Sequence, residues 1–376
     1  MDFFIMKKNF KITAVIALFL IILSSATPLM PSASPRLGGT VKDDSISNLG
    51  ASTSTNYKEK LSDYGFFEGK ISDQKPTAKV MPYTMNAPLF SDYAYKLRFI
   101  QLPDNQSVVY NADSVFQFPK GTAIIKTFYY KNDGRDDKKG RRLIETRVLL
   151  NDETKGWVAL PYMWNDEQTD AFLEVAGGST TVNWRDEKGG KKTLEYTVPN
   201  MNQCKGCHER SGVMTPIGPS ARQLNGDFKY ADGVDNQLIR WKKAAILRGV
   251  SDELKDVPQL TNYENTTANL DLRAKAYLDI NCAHCHNRQG PAQTSGLFLD
   301  WKTTDSTAYG FYKTPVAAGR GSGNLLFDIV PGKPQESILV YRMESLDPGV
   351  MMPELSRRLQ HTEGVSLIKV WIKSMQ

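Results

Sequence analysis

All four cysteines of this chain fall in two copies of one pattern, Cys204-Lys205-Gly206-Cys207-His208 and Cys282-Ala283-His284-Cys285-His286. Two thiols one helical turn apart add across the two vinyl groups of one porphyrin, and the next residue's imidazole then lies under the iron as proximal ligand. The pattern is the attachment motif of c-type haem. A pair of disulfides, a thioredoxin-like redox pair and a zinc site made of two Cys-x-x-Cys knuckles share the cysteine spacing. None of them requires a histidine directly after each second cysteine. With only four cysteines and four histidines in 376 residues, metal or redox chemistry is concentrated where those residues fall. Two haem c groups are the expected cofactors, attached by Cys204, Cys207, Cys282 and Cys285, with His208 and His286 as iron ligands.

The elements around the motifs differ. Leu270, Ala274, Tyr277, Leu278 and Asn281 recur at helical spacing and lead into Cys282, so the second motif ends an amphipathic helix. A closing helix follows Thr362, with Val365, Ile368, Trp371 and Ile372 as its apolar stripe. No clear helix enters Cys204, because Tyr196-Thr197-Val198-Pro199-Asn200 reads as a strand ending at a proline-fixed turn. Another helix is expected from Asn236 through Leu247. Upstream, runs such as Ala123 to Phe128, Leu143 to Leu150 and Trp157 to Leu160 are rich in β-branched and aromatic residues and alternate with turn clusters such as Asn132-Asp133-Gly134. Seven to nine such runs argue for an antiparallel sandwich-like domain. No histidine or cysteine precedes Cys204, so that region offers no ordinary copper or zinc site.

The order helix, Cys-x-x-Cys-His, methionine-proline and closing helix over residues 266–376 resembles a class I cytochrome c domain. The resemblance implies that Met352, before Pro353, is the sixth ligand of the second iron, with Met351 as the alternative. A thioether there stabilises ferrous iron. It also implies that a backbone carbonyl of Gly296-Leu297-Phe298-Leu299 fixes the His286 ring. Met214 is the nearby downstream thioether for the first iron. Of the remaining histidines, His284 is expected to face solvent or a haem edge and His361 to be an exposed neighbour of the closing helix, with a role as ligand of the first iron as the alternative. Arg320 and Arg342 are candidates for pairing with haem propionates.

From about residue 56 to the carboxyl end the chain resembles a family of uncharacterised two-haem c-type cytochromes. Leu61 to Phe67, Pro88 to Ala94, Leu143 to Arg147, Gln223-Leu224-Asn225, Gly319 to Gly323 and Met352 to Leu355 carry that resemblance together with the two motifs. It implies an exported haem protein with a β-rich amino-terminal part.

The expected fold class is therefore α+β and multidomain: an antiparallel β-rich domain (56–200), then mostly α-helical haem domains, with a first c-haem region (201–265) and a class I cytochrome c-like domain (266–376). Lys7, Lys8 and Lys11 before the apolar run Ile12 to Leu23 and small residues at Ser24-Ser25-Ala26 read as a signal peptide over residues 1–26, with a flexible leader over 27–55. Removing the first 26 residues takes the net charge from +6 to +4, too mild to suggest a nucleic-acid partner. The chain is expected to be periplasmic or secreted, without a stable membrane anchor after signal cleavage, and to meet a redox partner protein. The function so read is single-electron transfer. The alternative is a dihaem peroxidase-like enzyme or the electron-accepting subunit of a periplasmic dehydrogenase, in which the first haem keeps an open axial position.

Overall fold

Most of the alternating runs upstream of the first motif join one sheet. The structure is a computed structural model that describes residues 57–355 and 357–376. The expected signal peptide and leader lie outside the described residues. In chain order the strands are β1 (Val80–Tyr83), β2 (Tyr95–Gln101), a short β3 (Val108–Val109), β4 (Ala123–Lys131), β5 (Arg141–Asp152), β6 (Gly156–Trp164), β7 (Ala171–Leu173), β8 (Gly178–Arg185) and β9 (Lys191–Val198). Six of them form an antiparallel sheet in the order β1-β2-β4-β5-β6-β7, and β8 and β9 form a separate hairpin.

Side chains alternate across this sheet. Phe99, Ile125, Val148, Leu160 and Tyr162 point to one face and pack against Leu61, Phe66 and Phe67. Thr127 and Thr146 share a 2.8 Å hydroxyl contact on that face, and Trp164 Nε1 donates to Thr146 Oγ1 at 3.0 Å, so its polar groups are paired. The opposite face is apolar at both ends. Ile100 and Ile124 meet Leu224 and Trp241, while Phe128 meets Val182 and Tyr196 of the hairpin. Between those ends Arg98, Lys126 and Arg147 stand in register on adjacent strands.

After the sheet come α1 (Met201–His208), β10 (Glu209–Arg210), β11 (Val213–Met214), α2 (Ala221–Leu224), β12 (Asp227–Tyr230), β13 (Gly233–Asn236), α3 (Gln237–Lys243) and β14 (Leu247–Arg248). The chain closes with α4 (Leu270–Asn281), α5 (Ile338–Glu344) and α6 (Thr362–Lys373). β14 returns to pair in parallel with β3. Residues 56–376 form one compact unit. Asn86 donates to the carbonyls of Arg222 and Asn225, and the Asp92 carboxylate accepts from the backbone of Arg358 and Leu359, so loops of the sheet region bind both later regions.

The expected fold class is corrected here. A sandwich-like β domain followed by mostly α-helical haem domains is not what the chain forms: it is β-rich, built on one six-stranded sheet, and helix is a minor component. Among the described residues only α4 and α6 reach 12 residues. The physical reason lies in the composition between them. Gly290, Pro291, Gly296, Pro315, Gly319, Gly321 and Gly323 interrupt any continuing helix, so residues 282–337 run as turns and single 3-10 turns. The 201–265 segment alternates three helices of eight residues or fewer with two small hairpins. Among the described residues no helix is long and apolar enough to cross a membrane.

Candidate haem-binding site

The first motif is carried by a helix of its own. Asn200 caps α1 by accepting from the Gln203 N–H, while the Gln203 side chain returns to the Asn200 N–H. This capping box starts the helix directly at the motif and corrects the expectation that no helix enters Cys204. The signal was present in the sequence as Asn200-x-x-Gln203. Cys204 is buried and Cys207 and His208 are half-buried. The β10–β11 hairpin then turns the chain back, and the His208 Nδ1 lies 3.2 Å from the Thr215 carbonyl, which also receives support from the Thr215 N–H donating to the His208 carbonyl at 2.6 Å. With Nδ1 committed as donor, Nε2 carries the free lone pair.

The second motif follows the C-terminus of α4, which Asn269 caps by accepting from the Leu272 N–H at 3.1 Å. Asn281 is buried and bridges outward, accepting from the Phe90 N–H and donating to the Tyr277 carbonyl. Helix α6 crosses α4 at Gly364, where an added Cβ would lie 2.4 Å from the Tyr277 ring, so only glycine permits this approach. Trp371 Nε1 donates to Asp271 across the same pair of helices. The Leu299 N–H donates to the His286 carbonyl, which places the Gly296–Leu299 segment beside the imidazole. His286 Nδ1 is buried without a hydrogen-bond partner, so the expected carbonyl bond to this ring is not formed.

Both motifs open on one cavity of about 610 Å³. Cys204, Cys207, His208, Cys282, Cys285 and His286 all line it. Where the motifs meet, one ligand atom each from Cys207, His284 and Cys285 lie within 4.8 Å of one another. The Cys285 contact pulls the Cys207 thiol down to about 4 and pushes Cys285 up. Burial takes His208 down to about 3, with the Lys126 ammonium adding, and takes His286 down to about 4. Both imidazoles are thus held neutral, the form that ligates a metal.

The remaining candidates separate clearly. Met352 lines the cavity, whereas Met351 is buried away from it. Met214 pairs with Glu209 in the hairpin beneath His208 and does not line the cavity. His361 is buried rather than exposed: its ring stacks on Phe90 at 4.2 Å, its Nδ1 meets the Tyr277 hydroxyl at 3.1 Å, and it lines the cavity. Arg342 lines the cavity and donates to the Val350 carbonyl, while Arg320 is exposed and paired with Asp347. The sheet contributes residues that sequence reading did not single out, Arg98, Lys126 and Arg147. Burial, then Arg147 and Arg98, bring Lys126 down to about 7.

These residues fit two haem groups on three counts. The imidazole of His208 is oriented by a carbonyl with Nε2 left over, a methionine faces the cavity that holds the second motif, and the lining carries net positive charge. Among the described residues six cations, Arg98, Lys126, Arg147, Lys313, Arg342 and Arg357, and two carboxylates, Asp328 and Glu354, line the cavity, and the buried Glu145 paired with Arg147 leaves a surplus of three positive charges. Two haems bring four propionates. Comparisons with protein-family models, with curated proteins and with solved structures gave no match for this chain.

Proposed function

We propose that the chain is an exported two-haem c-type cytochrome that accepts and passes single electrons. The observation that carries this reading is the convergence of both Cys-x-x-Cys-His motifs on one cavity whose lining supplies neutral imidazoles, a thioether and surplus positive charge. Cys204 and Cys207 would hold one haem and Cys282 and Cys285 the other, with His208 and His286 as proximal ligands and Met352 as sixth ligand at the second. Each haem, when bound, supplies a one-electron iron couple. The Thr215 carbonyl keeps the His208 ring in one tautomer and orientation, and the sheet face and the end of α4 form walls of the cavity.

One observation favours a second reading. Met214 lies outside the cavity, which leaves the first motif without the thioether that the sequence offered it and supports a peroxidase-like enzyme or an electron-accepting dehydrogenase subunit. A zinc site at Cys207, His284 and Cys285 is the non-haem competitor. Export with the c-haem maturation system followed by intact mass and metal analysis tests all of these. Two covalent haems per chain are expected. Fewer than two, or stoichiometric zinc in their place, overturns the cytochrome reading. A first haem that turns low-spin on adding cyanide, or binds carbon monoxide when reduced, moves the assignment to the enzymatic reading.

A further inference from the structure

We infer that Arg98, Lys126 and Arg147 form a carboxylate-binding wall inside the cavity, and that it receives haem propionate. The inference rests on the haem reading. The three residues are register partners on β2, β4 and β5, Arg98 opposite Lys126 and Lys126 opposite Arg147, and all three line the cavity. Like charges directly opposite on adjacent strands repel, and here they do so away from bulk water, where the repulsion is least screened.

The chain supplies only part of the neutralising charge. Glu145, fully buried, pairs with Arg147 at 2.5 Å. Among the described residues no hydrogen bond or ion pair reaches the Arg98 guanidinium or the Lys126 ammonium; the Phe128 ring lies 4.9 Å from Lys126 Nζ. A sheet whose ends on this face are packed with Ile124 and Phe128 would gain from isoleucine or phenylalanine in the row as well. Cations placed there instead, abreast and facing a cavity, are suited to an anion that enters it. Adjacent strands lie roughly 4.8 Å apart, so three charged heads span room for two carboxylates, and the two guanidinium groups can each hold a carboxylate with paired hydrogen bonds. A propionate has this chemistry and arrives with the cofactor; a free small carboxylate has it too.

The test uses the haem-loaded full chain, with Arg98→Met, Lys126→Met and the charge-keeping Lys126→Arg. The readouts are redox-difference infrared bands of the propionates and the midpoint potential of each haem, in the presence and absence of acetate. Expected are displaced propionate bands in both methionine variants and a lower potential for one haem, because a lost cation favours ferric iron. The shift in ferric-to-ferrous ratio at fixed potential is expected near tenfold, about 59 mV for one electron. Lys126→Arg should restore both. If the propionate bands stay in place but acetate lowers the wild-type potential and not the variants', the wall binds a free carboxylate instead. If the potential falls in the variants while the propionate bands stay in place and acetate has no effect, the row acts only as distant charge and the inference is overturned; no change in bands or potential overturns it as well. A wild-type chain carrying fewer than two haems sinks the haem reading separately; calorimetric titration of that chain with acetate, against Lys126→Met, then decides the wall, and absence of binding overturns it.

Discussion

The two Cys-x-x-Cys-His motifs share one residue pattern and stand on different supports. The second follows the 12-residue helix α4, locked against α6 by Gly364, Ile368 and Trp371 in the largest helical core of the chain. The first rides on the 8-residue α1, which owes its start to the Asn200–Gln203 capping box and has only Cys204 buried. Its histidine is positioned by a two-residue hairpin whose Val213 is exposed. A ligand motif therefore does not need a helical domain of its own. A cap, a hairpin carbonyl and the face of a sheet take the place of the packed helices, and it is His208 on this lighter support whose Nδ1 meets a carbonyl, while Nδ1 of His286 has no partner.

Three experiments would break or sharpen that contrast. The largest effect is expected at the link between the two supports. Arg222, at α2 beyond the first motif, pairs with Asp279 on α4 at 2.5 Å and lies 4.8 Å from the centre of the Trp301 ring. Arg222→Ala leaves the Asp279 carboxylate buried without its cation, and denaturant unfolding should record a loss of about 3–5 kcal/mol. A loss below 1 kcal/mol would mean the two supports are stabilised independently.

Next, Ile368→Ala removes a fully buried side chain under the second motif, and about 2–5 kcal/mol should be lost. Val213→Ala beside the first motif should stay within about 0.5 kcal/mol. Equal losses in the same denaturant series would erase the distinction drawn between the supports. The third effect is spectroscopic. Met352→Ala should abolish the thioether–iron absorption of the second haem at unchanged haem content, while Met351→Ala should keep the band and lose stability, because Met351 is buried outside the cavity. The reverse pattern would assign the ligand to Met351.

Much of this site could be read locally. The motifs, the helix over Leu270–Asn281, the helix from Thr362 and the pair Met351-Met352 are visible in short windows, since caps, turns and helical spacing involve residues within four of each other. The strand runs from Ala123, Leu143 and Trp157 are equally local and fall within β4, β5 and β6. Two 12-residue helices do not amount to helical domains, because the glycines and prolines between them end helices. His361 was misplaced for a related reason. Its position before a helix suggested exposure, but the stacking on Phe90 and the Tyr277 hydroxyl come from segments far away in the chain.

By itself the sequence determined which residues are chemically competent: four thiols and two imidazoles at porphyrin spacing, with a thioether before a proline. Only the tertiary structure decided that the two motifs face one cavity, that Met352 rather than Met351 or Met214 looks into it, and that three cations stand abreast on its wall. Residues 98, 126 and 147 become neighbours through the register of successive strand pairings, in which a slip of one residue turns a side chain to the opposite face. That register is set by the packing of both sheet faces at once, which no short stretch of sequence contains.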